Sequence, residues 1–159
     1  MTNSTYQYGG AAACVTLLKE HLQEFLETWR QADALEIELP EDTDLDCSSR
    51  EHLLLHVLRC ASRHLIWICD QLEIPAPDVE RDPQRDGISE RAEEDMEKTL
   101  AAWDLSMRAL TEEAAYSESY PSEWGPLYCI DAMLEHAVMH PIRHSLQLKK
   151  LMAEREAER

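Results

Sequence analysis

Six of the seven histidines fall in two segments, His52, His56 and His64 in one and His136, His140 and His144 in the other. Residues four apart on a helix share a face, with Cβ atoms about 5–6 Å apart, so two imidazoles at that spacing can converge on one ion at Zn–N distances of about 2.0–2.1 Å. His140 and His144 form such a pair. Imidazole ligands suit a divalent transition metal, and Zn, Ni, Fe and Mn all remain open on this criterion. The chemistry such an ion brings is activation of a bound water or small thiol by lowering its pKa.

Three histidines on one helix cannot face an ion equally, because each four-residue step turns the helix by about 40°. Taking Ile130, Met133, Leu134, Ala137, Leu148, Leu151 and Met152 as the buried stripe, His144 falls about 30° from its centre, His140 about 70° and His136 about 110°. His140 and His144 are therefore the expected ligands, and His136 is expected outside the ligand set or at the surface. In the first segment Leu54, Leu58, Ala61, Leu65, Ile68 and Leu72 define the main seam. His56 lies far around from that seam and His64 nearer to it. Leu53, Cys60 and Trp67 make a second apolar arc beside His56, so periodicity leaves His56 and His64 as rivals.

Both segments need helices to hold them. Val15, Leu18, Leu22, Phe25, Leu26 and Trp29 recur at three- and four-residue steps and predict a first helix over about Ala11 to Ala34. Ser48 and Glu51 read as a capping box opening a second helix that runs to about Leu72. Pro75, Pro77, Pro83 and Gly87 mark a loop. A third helix, carrying Met96, Leu100, Trp103, Met107 and Leu110, is expected from near Ser89 to about Ala115. Tyr116 to Pro126 reads as a rigid aromatic turn, and a fourth helix as Leu127 to about Glu154. With no strand-like alternation and no fixed repeat, these four amphipathic segments predict an all-α helical bundle built as a single domain over 1–159. The ends, 1–10 and 154–159, are expected to fray.

The run from Glu135 to Leu148, EHAVMHPIRHSLQL, resembles the last-helix signature of the DinB/YfiT-like superfamily, H-x-x-x-H followed by R-G-Q. His56 followed by Val57 and Leu58 resembles that family's first ligand segment. The resemblance implies an up-down four-helix bundle and a three-histidine metal site of His56, His140 and His144, with a coordination position left for water or substrate. It also implies a metal-dependent hydrolase, or a transferase or isomerase that uses a low-molecular-weight thiol. Two departures stand out: Ser145 and Leu146 occupy the place where Arg-Gly is common, and Pro141 follows His140, where it removes a helical hydrogen bond. No catalytic residue is assigned. These departures keep a non-catalytic metal-binding or stress-response module on the same bundle as the alternative.

Other polar residues near these segments have structural readings. Cys60, one turn after His56, could approach the same pocket but reads first as a small buried thiol. Asp131 and Glu135 could orient a ligand imidazole, and equally offset the helix dipole. Tyr120 and Trp124 either shape the mouth of a pocket or pin their loop. His21 and His52 read as surface or hydrogen-bonded histidines.

The 32 acidic and 15 basic side chains give a formal charge of −17, which would repel a phosphate backbone or an anionic bilayer. Nucleic acid and membrane are therefore not expected as partners, whereas the resemblance implies a small-molecule substrate or thiol. The N-terminal ten residues lack the basic flank and apolar run of a signal peptide. Five cysteines, an odd number with no C-x-x-C spacing, predict reduced thiols and a cytoplasmic setting. Apolar surface on amphipathic helices is compatible with a homodimer.

Overall fold

The computed structural model describes residues 5–40, 48–75 and 77–158. The chain is mostly helical, as its apolar periodicity predicts. The elements are α1 (Gly9–Ala34), α2 (Arg50–Gln71), α3 (Ile88–Met107), α4 (Glu112–Tyr116), β1 (Tyr120–Pro121), β2 (Leu127–Tyr128) and α5 (Ile130–Ala157). The predicted stripe of α1 is buried along its length, from Val15 to Trp29. It packs most extensively on α5, while α2 and α3 pack on each other, α3 also against α1 and α2 also against α5. Each of the four long helices thus has two principal neighbours, and the apolar core lies between them. No helix among the described residues is long and apolar enough to cross a membrane.

Several boundaries differ from the sequence expectation, each for a local reason. The second helix is capped by Ser49, whose Oγ accepts from the His52 backbone N–H at 3.2 Å, so the expected Ser48–Glu51 box is displaced by one residue. The His52 ring sits 2.8 Å from the same hydroxyl, which gives this histidine a capping role. The third helix stops at Met107, short of Ala115. Thr111 is extended there, and its hydroxyl caps α4 by accepting from the Ala114 N–H at 3.2 Å. The last helix starts at Ile130 instead of Leu127 because Leu127 and Tyr128 pair antiparallel with Pro121 and Tyr120. That short hairpin was not foreseen. Gly125 at its tip has φ 110°, a conformation that suits glycine.

At the chain's start, helix α1 begins at Gly9, the Gln7 N–H donates to the Arg108 carbonyl at 3.1 Å and Tyr6 Oη donates to Asp104 at 2.8 Å. At the other end α5 continues through Ala157.

Helices α1 and α2 end alike. Glu36 and Glu73 adopt left-handed φ of 51° and 53°. The next residue in each case, Ile37 or Ile74, donates its N–H back to Ala32 or Cys69. These are Schellman closures, with an isoleucine turned back onto the core.

Three indole N–H groups tie the elements that frame the site. Trp29 donates to the Arg50 carbonyl at 2.6 Å, joining α1 to the start of α2. Trp103, 1% exposed, donates to Ala61 at 3.0 Å, joining α3 to the middle of α2. Trp67 donates to Pro121 at 3.1 Å, joining α2 to the hairpin. Buried indoles need such acceptors, and here each acceptor lies on a neighbouring element.

Candidate metal centre

The second apolar arc of α2 decides which histidine meets His140 and His144 together. Leu53 and Val57 are fully buried and Trp67 nearly so, so this arc is a packing face in its own right and carries His56 with it. His56 meets His140 and His144, while His64 lies beside His136. Rising numbers on α2 thus match falling numbers on α5, and the two helices run antiparallel past the site. Eight residues separate His56 from His64, which is about 12 Å along a helix. The two rivals of the sequence reading therefore occupy successive places in a row of imidazoles.

One nitrogen from each of His56, His140 and His144 can be chosen so that all lie within 4.8 Å of one another. His56 Nε2 and His140 Nε2 are 3.0 Å apart. Two nitrogens bound to one tetrahedral ion at about 2.0–2.1 Å would stand roughly 3.3 Å apart. The closest pair already has nearly that spacing, and the widest permitted separation needs a closing of about 1.5 Å, within reach of side-chain rotation. The three histidines could therefore hold a metal ion.

Burial prepares His140 for it. It lowers the pKa of His140 to about 2, helped by neighbouring imidazoles, first His144 and then His56. His140 is thus neutral at physiological pH, the form a ligand requires. His144 Nδ1 lies 3.0 Å from Gln147 Oε1. The amide oxygen has only acceptor character, so this contact puts the proton on His144 Nδ1. Gln147 is the orienting group that reasoning from residue types missed, although it lies three residues on from His144, at a spacing that places both on one helix face.

No family model, curated protein or solved structure matches the chain. What the site can do follows from its own geometry.

The remaining candidates have other roles. His64 is 5% exposed, and burial lowers its pKa to about 3, with His136 and His56 adding to the effect. Its ring lies 5.9 Å from that of His140 and 5.0 Å from that of His136. His136 stacks on Trp124 at 4.9 Å, and its pKa is lowered by burial and by Arg143. Asp131 accepts from Tyr8 Oη at 2.7 Å and Glu135 is exposed, so neither supplies the observed hydrogen bond to a ligand imidazole. His21 pairs with Glu24 at 3.2 Å. Cys60 Sγ stands 3.9 and 4.0 Å from the two ring nitrogens of His56. Cys14, Cys60, Cys69 and Cys129 form no disulfide among the described residues, and Cys47 lies outside them.

Two predictions follow from this geometry. Gln147→Ala should weaken zinc binding about 10- to 100-fold in a chelator competition, whereas Gln147→Glu, which keeps an acceptor oxygen, should hold affinity near that of the wild type. The second concerns acid. Below an ordinary histidine pKa of 6.5 the unfolded chain takes up protons that buried His64 and His140 refuse until about pH 3 and 2. The unfolded state then binds more protons, so stability falls as pH drops. The metal-free protein should lose up to about 1.4 kcal/mol per pH unit for each such imidazole, read as a falling urea midpoint between pH 6.5 and 5.5.

Proposed function

We propose that the chain is a metal-dependent enzyme in which His56, His140 and His144 hold one divalent ion and leave a coordination position for water or a low-molecular-weight thiol. The observation that carries this reading is the convergence of the three imidazoles from two helices. All three ligands would be neutral, so the ion would keep its full positive charge. An ion in such a set supplies a Lewis acid and lowers the pKa of a water or thiol that joins it. The protein's own part is to keep the His140 imidazole unprotonated by burial and to fix the His144 tautomer through Gln147.

The reaction we infer is hydrolysis, or group transfer involving a small thiol. Its support is the resemblance of the segment around His140 and His144 to the DinB/YfiT-like superfamily. The closed circuit of contacts among α1, α5, α2 and α3 supports the up-down four-helix bundle that the resemblance implies. Pro141 lies within α5 and is buried beside the ligands. Its ring leaves the Ala137 carbonyl without the usual helical donor, yet the helix continues through it.

One observation favours a second reading. Cys60 is close enough to His56 that its thiolate could become a fourth ligand after a modest side-chain movement. That would close the shell and make the ion structural.

Metal analysis of tag-free protein should give close to one equivalent of a divalent transition metal. Replacing His140 and His144 together by Ala should abolish it, along with any hydrolytic or thiol-transfer activity found by screening the metal-loaded protein. Unchanged metal content in that double variant would overturn the proposal.

A further inference from the structure

Two clustered imidazoles lie outside the three-histidine set. His64 on α2 and His136 on α5 stand with ring centroids 5.0 Å apart. Two imidazoles that bind one tetrahedral ion at about 2.0–2.1 Å place their centroids roughly 5.2 Å apart. The pairs among His56, His140 and His144 stand at 4.8, 4.8 and 5.3 Å, and the separation of His64 from His136 falls inside that range. His140 lies farther off, at 5.9 Å from His64 and 6.4 Å from His136, so these two rings form a group of their own.

An independent observation concerns His64 itself. The residue is 5% exposed, and its buried Nδ1 finds no hydrogen-bond partner among the described residues. Most buried polar side-chain atoms in folded proteins have a partner, and an unmet one carries a desolvation cost. A cation on the lone pair of that nitrogen would offset the cost.

The hairpin braces both rings. Trp124 stacks on His136 at 4.9 Å and meets His64 edge-on at 6.0 Å, while Tyr128 meets His136 edge-on at 5.6 Å. Rings held in this way lose less side-chain freedom when a ligand joins them. His64 and Trp124 also line a cavity of about 250 Å³, which has room for several waters.

We propose that His64 and His136 bind a second divalent transition-metal ion, with water from this cavity completing its coordination. The site needs no ion at His56, His140 and His144 and does not rest on the enzymatic reading. Held by two imidazoles instead of three, the second ion should bind at least about tenfold more weakly than the first. Protein as purified therefore carries close to one equivalent, and the second enters at raised metal concentration. Its consequence is a cavity with Lewis-acid character on the His64 side.

The test is zinc titration of chelator-stripped, tag-free protein, with bound metal counted after ultrafiltration at buffered free zinc. The wild type should take up two equivalents in two steps. His136→Phe keeps an aromatic ring against Trp124 but removes the nitrogens, and it should lose the weaker step and keep the tighter one, which also shows that the variant is folded. His64→Ala should do the same. His140→Ala with His144→Ala should lose the tighter step and keep the weaker. The proposal is overturned by a wild type that takes only one equivalent and loses it with His140 and His144, by a weaker step that survives in His136→Phe, or by both steps disappearing together in His136→Phe and in His64→Ala. A single step that survives replacement of His140 and His144 but disappears in His136→Phe would sink the three-histidine reading and support this one.

Discussion

Five imidazoles, those of His56, His64, His136, His140 and His144, lie in a row between α2 and α5, each ring centroid within 5.0 Å of another. They cannot all carry charge, because like charges at that spacing in a desolvated seam repel strongly. Neutral imidazoles bring a different difficulty. Each has one lone-pair nitrogen, and lone pairs that face each other at 3.0 Å, as His56 Nε2 and His140 Nε2 would, need a proton or a cation between them. A hydrogen bond can satisfy one such pair. Three converging nitrogens are better satisfied by one divalent ion, which explains why a helical core would tolerate this much buried polar chemistry.

The surrounding structure holds that row in place. Helix α2 is fixed at its start by Trp29 and by the ion pair of the Arg50 guanidinium with the Asp33 carboxylate at 2.8 Å, at its middle by Trp103, and towards its end by Trp67. A rigid helix keeps His56 in register with α5, where a shift of one residue would turn its ring away by about 100°. The hairpin before α5 supplies Trp124, which stacks on His136 and meets His64 edge-on. Packing, hydrogen bonding and the site thus depend on the same few contacts between α2, α5 and the hairpin.

Much of this was legible in the residues. The stripe from Val15 to Trp29 and the positions of His140 and His144 follow from a 3.6-residue period, and the structure places them as that period requires. His56 was not separable from His64 by periodicity, because α2 is apolar on two sides and a single hydrophobic direction cannot describe a helix packed between α3 and α5. The end of α3 was missed because the apolar period runs on through Leu110, whereas the hydroxyl of Thr111 caps a new turn. The hairpin of two-residue strands is too short for alternation to register. Glutamates in the left-handed positions after α1 and α2 gave no signal either, since glycine is the residue usually read as such a stop. Residue type alone gives Gln147 no role, and the role comes from its oxygen lying 3.0 Å from His144 Nδ1.

The most direct test of the account is X-ray absorption spectroscopy of the zinc-loaded, tag-free protein. A site of His56, His140 and His144 should show three imidazole nitrogens at about 2.0–2.1 Å and one further light scatterer from solvent. Fewer than three imidazoles, or a sulfur scatterer at about 2.3 Å from Cys60, would contradict an open three-histidine site.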